Sequence, residues 1–218
     1  EYISEIDEVK RIRFTTSHPN EMTDHLIDCF GNIKKLAHHL HLPIQSGSDK
    51  VLMAMKRNYT TLEYKSIIKK LRRKLPNVSL TTDIIIGFPT ETTNDFNLTK
   101  KLFAELEFDY SFSFIYSKRP GTPAAYLKDE TSDEVKIDRL HEIQSLNIKQ
   151  GEYQTQKMIG TNQRVWIDHY SKKKPGILLG KTDNNRIIEF KESTELLNKF
   201  VNVKVSKILG KTLIGELV

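Results

Sequence analysis

"VSLTTDIIIGFPTET", residues 78–92, is the stretch from which the fold can be read. Ile84, Ile85 and Ile86 follow one another with no polar alternation, and Gly87 and Pro89 then end the run. A continuous apolar β-branched run of this kind suits a strand covered on both faces in a parallel sheet. Parallel neighbours need crossover connections, usually helices. Helical patterns flank the run on both sides. Before it, Thr60 and Glu63 fit a capping box, Tyr64, Ile67, Ile68, Leu71 and Leu75 recur at helical spacing, and Pro76 marks the stop. After it, Thr92 or Thr93 opens a helix carrying Phe96, Leu102, Phe103 and Leu106.

The alternation extends in both directions. "RIRFTTSHP" (11–19) reads as a first strand, with a helix over about 21–37 behind it. "HLHLPIQSG" (39–47) reads as a second strand, and Ser48 as the N-cap of a short helix through Lys56. "YSFSFIYS" (110–117) reads as a fourth strand. Its period of two puts Tyr110, Phe112, Phe114 and Tyr116 on one face and Ser111, Ser113, Ile115 and Ser117 on the other. The aromatic face is expected to meet helices and the serine face to look into a site. A helix over Asp133–Gln156 closes this region. Beyond Gly160, "QRVWIDH", "GILLGKT", "RIIEF", "FVNVKVSKI" and "TLIGELV" are five short runs separated by turn signals, the pattern of a small β-barrel.

Composition bounds the function classes. The chain has 218 residues, 38% hydrophobic and 28% charged, which suits a soluble globular protein rather than a disordered one. No apolar run approaches the ~20 residues of a membrane span, so no membrane association is expected. Cys29 is the single cysteine, which excludes a disulfide framework and a cysteine metal cage and points to a reducing, cytoplasmic setting. The net charge of +6 permits a polyanionic partner. The chain starts without Met, so it is expected to begin inside a longer protein.

In parallel βα units the binding loops lie at the carboxyl ends of the strands. Here these are Thr16-Ser17-His18-Pro19, Gln45-Ser46-Gly47-Ser48, Gly87-Phe88-Pro89-Thr90-Glu91 and Ser117-Lys118-Arg119-Pro120-Gly121-Thr122. Gln45 and Ser46 can hydrogen-bond a ribose or an amino-acid carboxylate, and Arg57 can pair with a carboxylate or phosphate. Gly87 allows close backbone approach to a flat ring. Asp83 on its strand needs a partner, from ligand or from Arg13. His18 is a candidate at its strand tip. His38, His39 and His41 lack a third ligand at metal-site spacing and read as structural, so no metal site is expected. The lysine-rich helix from Lys65 to Lys74 reads as a solvated outer face. Trp166 reads as barrel core. Lys172, Lys173, Lys174, Lys181, Arg186, Lys199, Lys204, Lys207 and Lys211 decorate the small barrel, a distribution suited to RNA. Lys181, Asn185 and Arg186 flank one turn and are expected to converge on an RNA backbone.

"RIRFTTSHP", "HLHLPIQSGSDKVL", "TTDIIIGFPTET" and "SFSFIYSKRPGTPAA", in this order, resemble the later part of radical S-adenosylmethionine methylthiotransferases. The segment from "RVWIDHYS" to "TLIGELV" is similar to the TRAM domain that closes those enzymes. The resemblance implies an α/β partial (β/α) radical SAM barrel of about four parallel strands over 1–150, then an OB-like all-β TRAM barrel over 151–218. The "TTSHP" loop and "SFSFIYS" strand look more like the branch acting on dimethylallyl-modified adenosine in tRNA than like the branches acting on threonylcarbamoyladenosine or on a ribosomal aspartate. That branch cleaves S-adenosylmethionine reductively and inserts a methylthio group at C2 of the adenosine next to the anticodon. It implies S-adenosylmethionine as cofactor, two 4Fe–4S clusters and the tRNA anticodon stem-loop as partner. It also implies cofactor contacts from Gln45, Ser46, Asp83, Gly87, Glu91 and Tyr116, and RNA contacts from His18, Arg57, Arg119, Lys181, Asn185 and Arg186. Glu91 reads equally as an acid at a helix N-terminus. The cluster cysteines, the first two strands and the sulfur-donor domain of the family have no counterpart in this sequence. A missing N-terminal part of the same protein is therefore expected to hold the clusters, and this chain alone is expected to be inactive, since one thiol cannot ligate a cluster. The alternatives are a non-catalytic tRNA-binding fragment, a sister methylthiotransferase acting on threonylcarbamoyladenosine tRNA and, more weakly, an ordinary α/β enzyme built on Asp83, Glu91 and His18.

Overall fold

A computed structural model describes residues 1–16, 18–171, 174–192 and 194–218. Ser17, Lys172 and Lys173 of the sequence reading lie outside the described residues. The chain runs α1 (Tyr2–Glu5), α2 (Asp24–Asn32), β1 (His39–His41), α3 (Asp49–Ala54), α4 (Thr61–Lys74), β2 (Ser79–Ile86), α5 (Thr93–Leu106), β3 (Tyr110–Ile115) and α6 (Asp133–Gln156). The barrel follows as β4 (Asn162–Tyr170), β5 (Ile177–Thr182), β6 (Ile187–Lys191), β7 (Phe200–Leu209) and β8 (Thr212–Leu217). Among the described residues no helix is long and apolar enough to cross a membrane.

β1, β2 and β3 form a parallel sheet in that order, with β2 at its centre. Leu80, Thr82, Ile84 and Ile86 of β2 are buried against the helices. Thr81, Asp83 and Ile85 are only half-buried, so the strand is covered on one face and not, as its apolar run suggests, on both. β1 is short because Pro43 has no amide hydrogen to give the ladder. The Thr82 hydroxyl repairs the gap: it donates to the Leu42 carbonyl at 2.8 Å and accepts from the Ile44 amide at 2.9 Å. Pairing then resumes between Gln45 and Ile84. The Thr60–Glu63 capping box opens α4, and a second box, Thr92 with Asp95, opens α5. The outer face of α4 carries ion pairs from Lys65, Lys70 and Lys74 to Glu105, Asp24 and Asp28.

Further expectations are corrected. Residues 11–19 form no strand, so the sheet has three strands and not four. Only isolated parallel bridges link Ile12 to Leu36 and Thr15 to His41. Between them lie three residue steps on one side and five on the other, so a continuous ladder cannot form. The faces of β3 are also the reverse of the reading. Ser111 and Ser113 pair with Thr82 and Ile84 and lie under α6, whose Asn147 Oδ1 accepts from the Ser111 amide at 2.8 Å. Small side chains let α6 approach closely. Tyr110, Phe112 and Phe114 pair with Thr81, Asp83 and Ile85 on the open face and are 41%, 47% and 55% exposed.

The five strands after Gly160 close into a barrel in the order β4-β5-β6-β8-β7. Val165, Ile167, Leu178, Ile188, Phe190, Val203, Val205 and Leu213 fill it. Trp166 is only partly buried and packs on Phe200 at 5.0 Å, at the barrel flank rather than in its core.

The turn after β1 depends on Gly47. Its amide donates to Thr99 Oγ1 at 2.9 Å, and a Cβ there would lie 2.5 Å from Thr99 Cα and 2.7 Å from the Leu98 carbonyl. Both obstacles are backbone and cannot swing away. Gly47→Ala should therefore destabilise the chain by roughly 1–3 kcal/mol, the usual cost of overpacking. Gly31→Ala, where a Cβ meets nothing closer than 3.8 Å, should be neutral or stabilising. Urea midpoints of the two variants against wild type check this.

Candidate functional site

The carboxyl edge of the sheet is assembled by buried polar contacts. Gln45 is buried with φ at 71°, and its backbone continues the ladder to Asp83 and Ile85. Ser46 is fully buried; its hydroxyl accepts from the Ser48 amide at 3.2 Å and lies 3.4 Å from Thr99 Oγ1. Ser48 caps α3 and donates to Asp95 Oδ1 at 2.6 Å. The polar turn thus grips α5, and the Ser46 hydroxyl is engaged by protein groups rather than turned to a ligand. Burial opposes the charge of Asp95, but hydrogen bonds from Ser48, Thr92 and Lys50 outweigh it and hold its carboxyl at about 2.

Asp83 finds its partner in His41, whose Nε2 lies 3.5 Å from Oδ1. Arg13, the partner expected from sequence, instead approaches His39 Nδ1 at 3.4 Å. The close approach allowed at Gly87 (φ +67°) is taken by the Lys136 side chain, which a Cβ would meet at 2.5 Å. Lys136 itself reaches Asp129 at 2.7 Å. Glu91 is neither a helix-end acid facing solvent nor open to a ligand. It is 4% exposed; Oε1 accepts from Arg139 Nη1 at 2.7 Å and from the Gly87 amide at 3.2 Å. Burial pushes the Glu91 carboxyl up, against the pull of the Gly87 amide and Arg139. Neither Lys136 nor Arg139 stood out in the sequence: both lie on a long helix among other charges, with no local signal of inward orientation.

Three of the candidates do come together. Arg57, Tyr116 and Arg119 line a cleft of about 350 Å³ at the carboxyl edge. Ile85, Phe88, Met55, Pro123 and Ala124 give it an apolar wall. Phe88 and Tyr116 meet edge to face at 5.0 Å. The Tyr116 hydroxyl is buried with no hydrogen-bond partner among the described residues. An apolar, aromatic cleft with two arginines and an unpaired hydroxyl fits a nucleoside carrying a carboxylate. The donor set does not fit an iron–sulfur cluster. Cys29 is the single thiol, and the nearest approach to a metal-binding group among the described residues is buried Cys29 with exposed Glu1 and His25, none of which lines the cleft. His18 stands apart from the cleft lining; it caps the turn at Pro19–Glu21 and packs edge-on against Tyr59 at 5.2 Å.

The turn from Thr182 to Arg186 overturns another expectation. Lys181 is half-buried, but Asn185 and Arg186 do not converge with it on a surface for RNA. Asn185 Oδ1 accepts from Arg11 Nη2 at 3.2 Å. Arg186 pairs with Asp109 and donates from Nη1 to Thr155 Oγ1 at 2.8 Å. Burial pushes the Asp109 carboxyl up, and Arg186 opposes that shift. Arg186 and Asp109, with Asp183 and Asn184, border a polar cavity of about 620 Å³ between the barrel and the amino ends of the strands. Lys199, Lys204 and Lys207 remain exposed on the barrel.

Comparison with known proteins adds a second line. Residues 1–103 match the radical SAM superfamily model and residues 156–218 match the TRAM domain model. The chain is 56% identical over 218 residues to a tRNA-2-methylthio-N(6)-dimethylallyladenosine synthase of Methylobacillus flagellatus, covering all of this chain and 49% of that protein. It is 51% identical over 216 residues to the protein of that name in Nitrosospira multiformis, covering 99% of this chain and 46% of that one. The Francisella tularensis subsp. novicida protein of the same name is 50% identical over 217 residues, covering all of this chain and 49% of that protein. The chain therefore spans about half the length of the curated relatives it matches. Among solved structures, Escherichia coli coproporphyrinogen III oxidase (HemN), described as a radical SAM enzyme, aligns with a TM-score of 0.53 at 23% identity, over 65% of this chain and 32% of that one, a likeness of fold alone.

The Glu91–Arg139 pair makes a separable prediction. Arg139→Met leaves a buried carboxylate unpaired and should cost about 3–5 kcal/mol at neutral pH. Glu91→Gln in the same chain should recover most of the loss. Without Arg139 the folded-state Glu91 carboxyl rises further above its unfolded value, so the folded form holds a proton that the unfolded form has released. The defect should therefore shrink as pH falls from neutral towards the unfolded carboxylate range. Denaturation curves of the three proteins between pH 8 and pH 5 measure both effects.

Proposed function

Because the chain belongs to the radical SAM methylthiotransferases and closes with a TRAM domain, we propose that it is part of a tRNA methylthiotransferase acting at C2 of dimethylallyl-modified adenosine next to the anticodon. The observation that carries this reading is the carboxyl-edge cleft, in a chain that aligns end to end with the tRNA-modifying relatives. S-adenosylmethionine, bound in the cleft, would supply the radical chemistry, and the thiolates for two 4Fe–4S clusters would come from outside this chain.

The chain's own residues orient and shield. Ile85, Phe88 and the Tyr116 ring form a dry wall for a flat base, and the Tyr116 hydroxyl offers the unpaired polar group of that wall. Arg57 at the rim meets the amino-acid carboxylate as a charge-assisted pair. Gln45 and Asp83 do not line the cleft; Gln45 is buried and Asp83 lies beside His41 on the open face of the sheet, where it would meet only a part of the cofactor that reaches beyond the cleft. Ser46, Gly87 and Glu91 act from behind: they fix the two loops that shape the cleft. Arg119 is exposed on the loop beyond β3 and is suited to an RNA phosphate; His18, on the loop beside β1 and apart from the cleft, would meet RNA separately. In this reading residues 1–150 hold the cofactor and 151–218 hold RNA, through Lys181 and the exposed barrel lysines. An anticodon stem-loop offers its bases already unstacked, which lowers the cost of reaching a base edge. The setting is cytoplasmic, where tRNA and reductant are both at hand.

The test is nucleoside mass spectrometry of tRNA from cells in which Tyr116→Ala or Arg57→Ala is introduced into the whole protein. Dimethylallyladenosine should accumulate and its 2-methylthio derivative should fall by about tenfold or more, the equivalent of ~1.4 kcal/mol of lost binding. Loss of the methylthio form of threonylcarbamoyladenosine instead would assign the sister reaction. An unchanged nucleoside profile on complete gene deletion would leave only a non-catalytic RNA-binding role.

A further inference from the structure

The turn between β5 and β6 contributes the main links between barrel and sheet. The Asp183 carbonyl accepts from the His38 amide at 2.8 Å, just before β1. The Thr182 carbonyl and Asn185 Oδ1 both accept from Arg11 Nη2 at 3.2 Å. Arg186 reaches furthest. One arm pairs with Asp109 at the amino end of β3, and the other donates to Thr155 near the end of α6. Asp109 is anchored in turn, because its Oδ2 accepts from the Leu80 amide of β2 at 2.8 Å. Both side chains of the pair are mostly buried, at 17% and 15% exposure.

The turn is also braced from within. Thr182 is fully buried, and its hydroxyl group accepts from the Arg186 amide at 2.9 Å and donates to Asn184 Oδ1 at 2.6 Å. Asn185 holds a left-handed φ of 69°, which asparagine tolerates better than most residues. A turn that only met solvent or RNA would need none of these contacts with the sheet. Lys211, on the turn between β7 and β8, adds a cation–π contact 5.7 Å from the Tyr110 ring.

We propose that the Thr182–Arg186 turn is a docking plug, and that the Arg186–Asp109 pair locks the barrel against the amino ends of the strands so that the two modules move as one body. Arg186 and Asp109 are positioning residues: they touch neither cofactor nor RNA and set where the barrel's exposed lysines stand relative to the carboxyl-edge cleft. That consequence rests on the methylthiotransferase reading, whereas the lock itself does not, so it is tested without RNA or cofactor.

The experiment uses the full 218-residue chain with Cys29→Ser and spin labels at Leu62→Cys on α4 and Lys199→Cys on the barrel, both exposed positions. Wild type should give one narrow label-to-label distance and one calorimetric unfolding transition. Arg186→Met should broaden the distance distribution and split the melt in two, with cleavage between Lys157 and Thr161 by a non-specific protease faster by roughly tenfold or more. Arg186→Lys, which keeps the charge but cannot fork to Asp109 and Thr155 together, should fall between them. A residue that merely stabilised its own module would lower the melting temperature without splitting the transition. Should Arg186→Met fail to fold, Arg11→Ala removes two of the plug's bonds from a half-buried side chain and should broaden the distribution more modestly. A narrow distance and a single transition retained in Arg11→Ala, and in Arg186→Met where it folds, would overturn the lock.

Discussion

The contact of Gly47 with Thr99 is the constraint on which the carboxyl edge of the sheet depends. It brings the turn after β1 within backbone distance of α5, close enough for the Gly47 amide to reach a threonine hydroxyl and for Ser48 to reach Asp95. Asp95 simultaneously closes the capping box that starts α5. One carboxylate therefore fixes the turn after β1 and the loop after β2 relative to each other. α6 completes the set from the other side, with Arg139 on Glu91 and Lys136 across Gly87. The groups behind the cleft are largely engaged with one another, whereas the Tyr116 hydroxyl, buried in the cleft lining, has no hydrogen-bond partner among the described residues.

The two modules use opposite ends of the same sheet. The barrel docks where the strands begin, at His38, Val78 and Asp109, and the cleft opens where they end, beyond Ile86 and Ile115. β2 has eight residues, so the two ends are about 23 Å apart. The open face between them carries Tyr110, Phe112 and Phe114 beside His41 and Asp83. In the proposed function, RNA held by the barrel would have to bridge that distance, which would make the placement of the barrel as consequential as its charge.

Much of the fold was legible because its signals are local and periodic. The isoleucine run gave β2, the Thr60 and Glu63 pair gave the start of α4, and the turn signals after Gly160 gave the barrel strands. What failed to show were choices made by distant partners. The segment before Thr16 has strand-like residues, but its register against 36–41 is broken by the chain opposite it. The alternation in β3 separates two faces without saying which one α6 covers; serine beneath a helix and aromatic rings in the open is the less common arrangement. Gly87 and Glu91 were legible as special residues, yet their partners Lys136 and Arg139 come from a helix over 40 positions away. Asn185 and Arg186 look the same in sequence whether they meet phosphate or Asp109. Arg57, Tyr116 and Arg119 stood out in sequence from their positions at strand and helix ends, and the structure places all three along one cleft.

Hydrogen–deuterium exchange on the whole protein, with S-adenosylmethionine and an anticodon stem-loop added separately, is the most direct measurement of this division of labour. Cofactor should slow exchange in 45–57, 85–91 and 116–124 and leave the barrel unchanged. RNA should slow exchange along the exposed lysine strand of the barrel, 199–209, and in the loop around Arg119, while the already buried 182–186 turn stays as it was. Protection by cofactor at the amino ends of the strands, or by RNA at the 182–186 turn in place of the lysine strand, would contradict it.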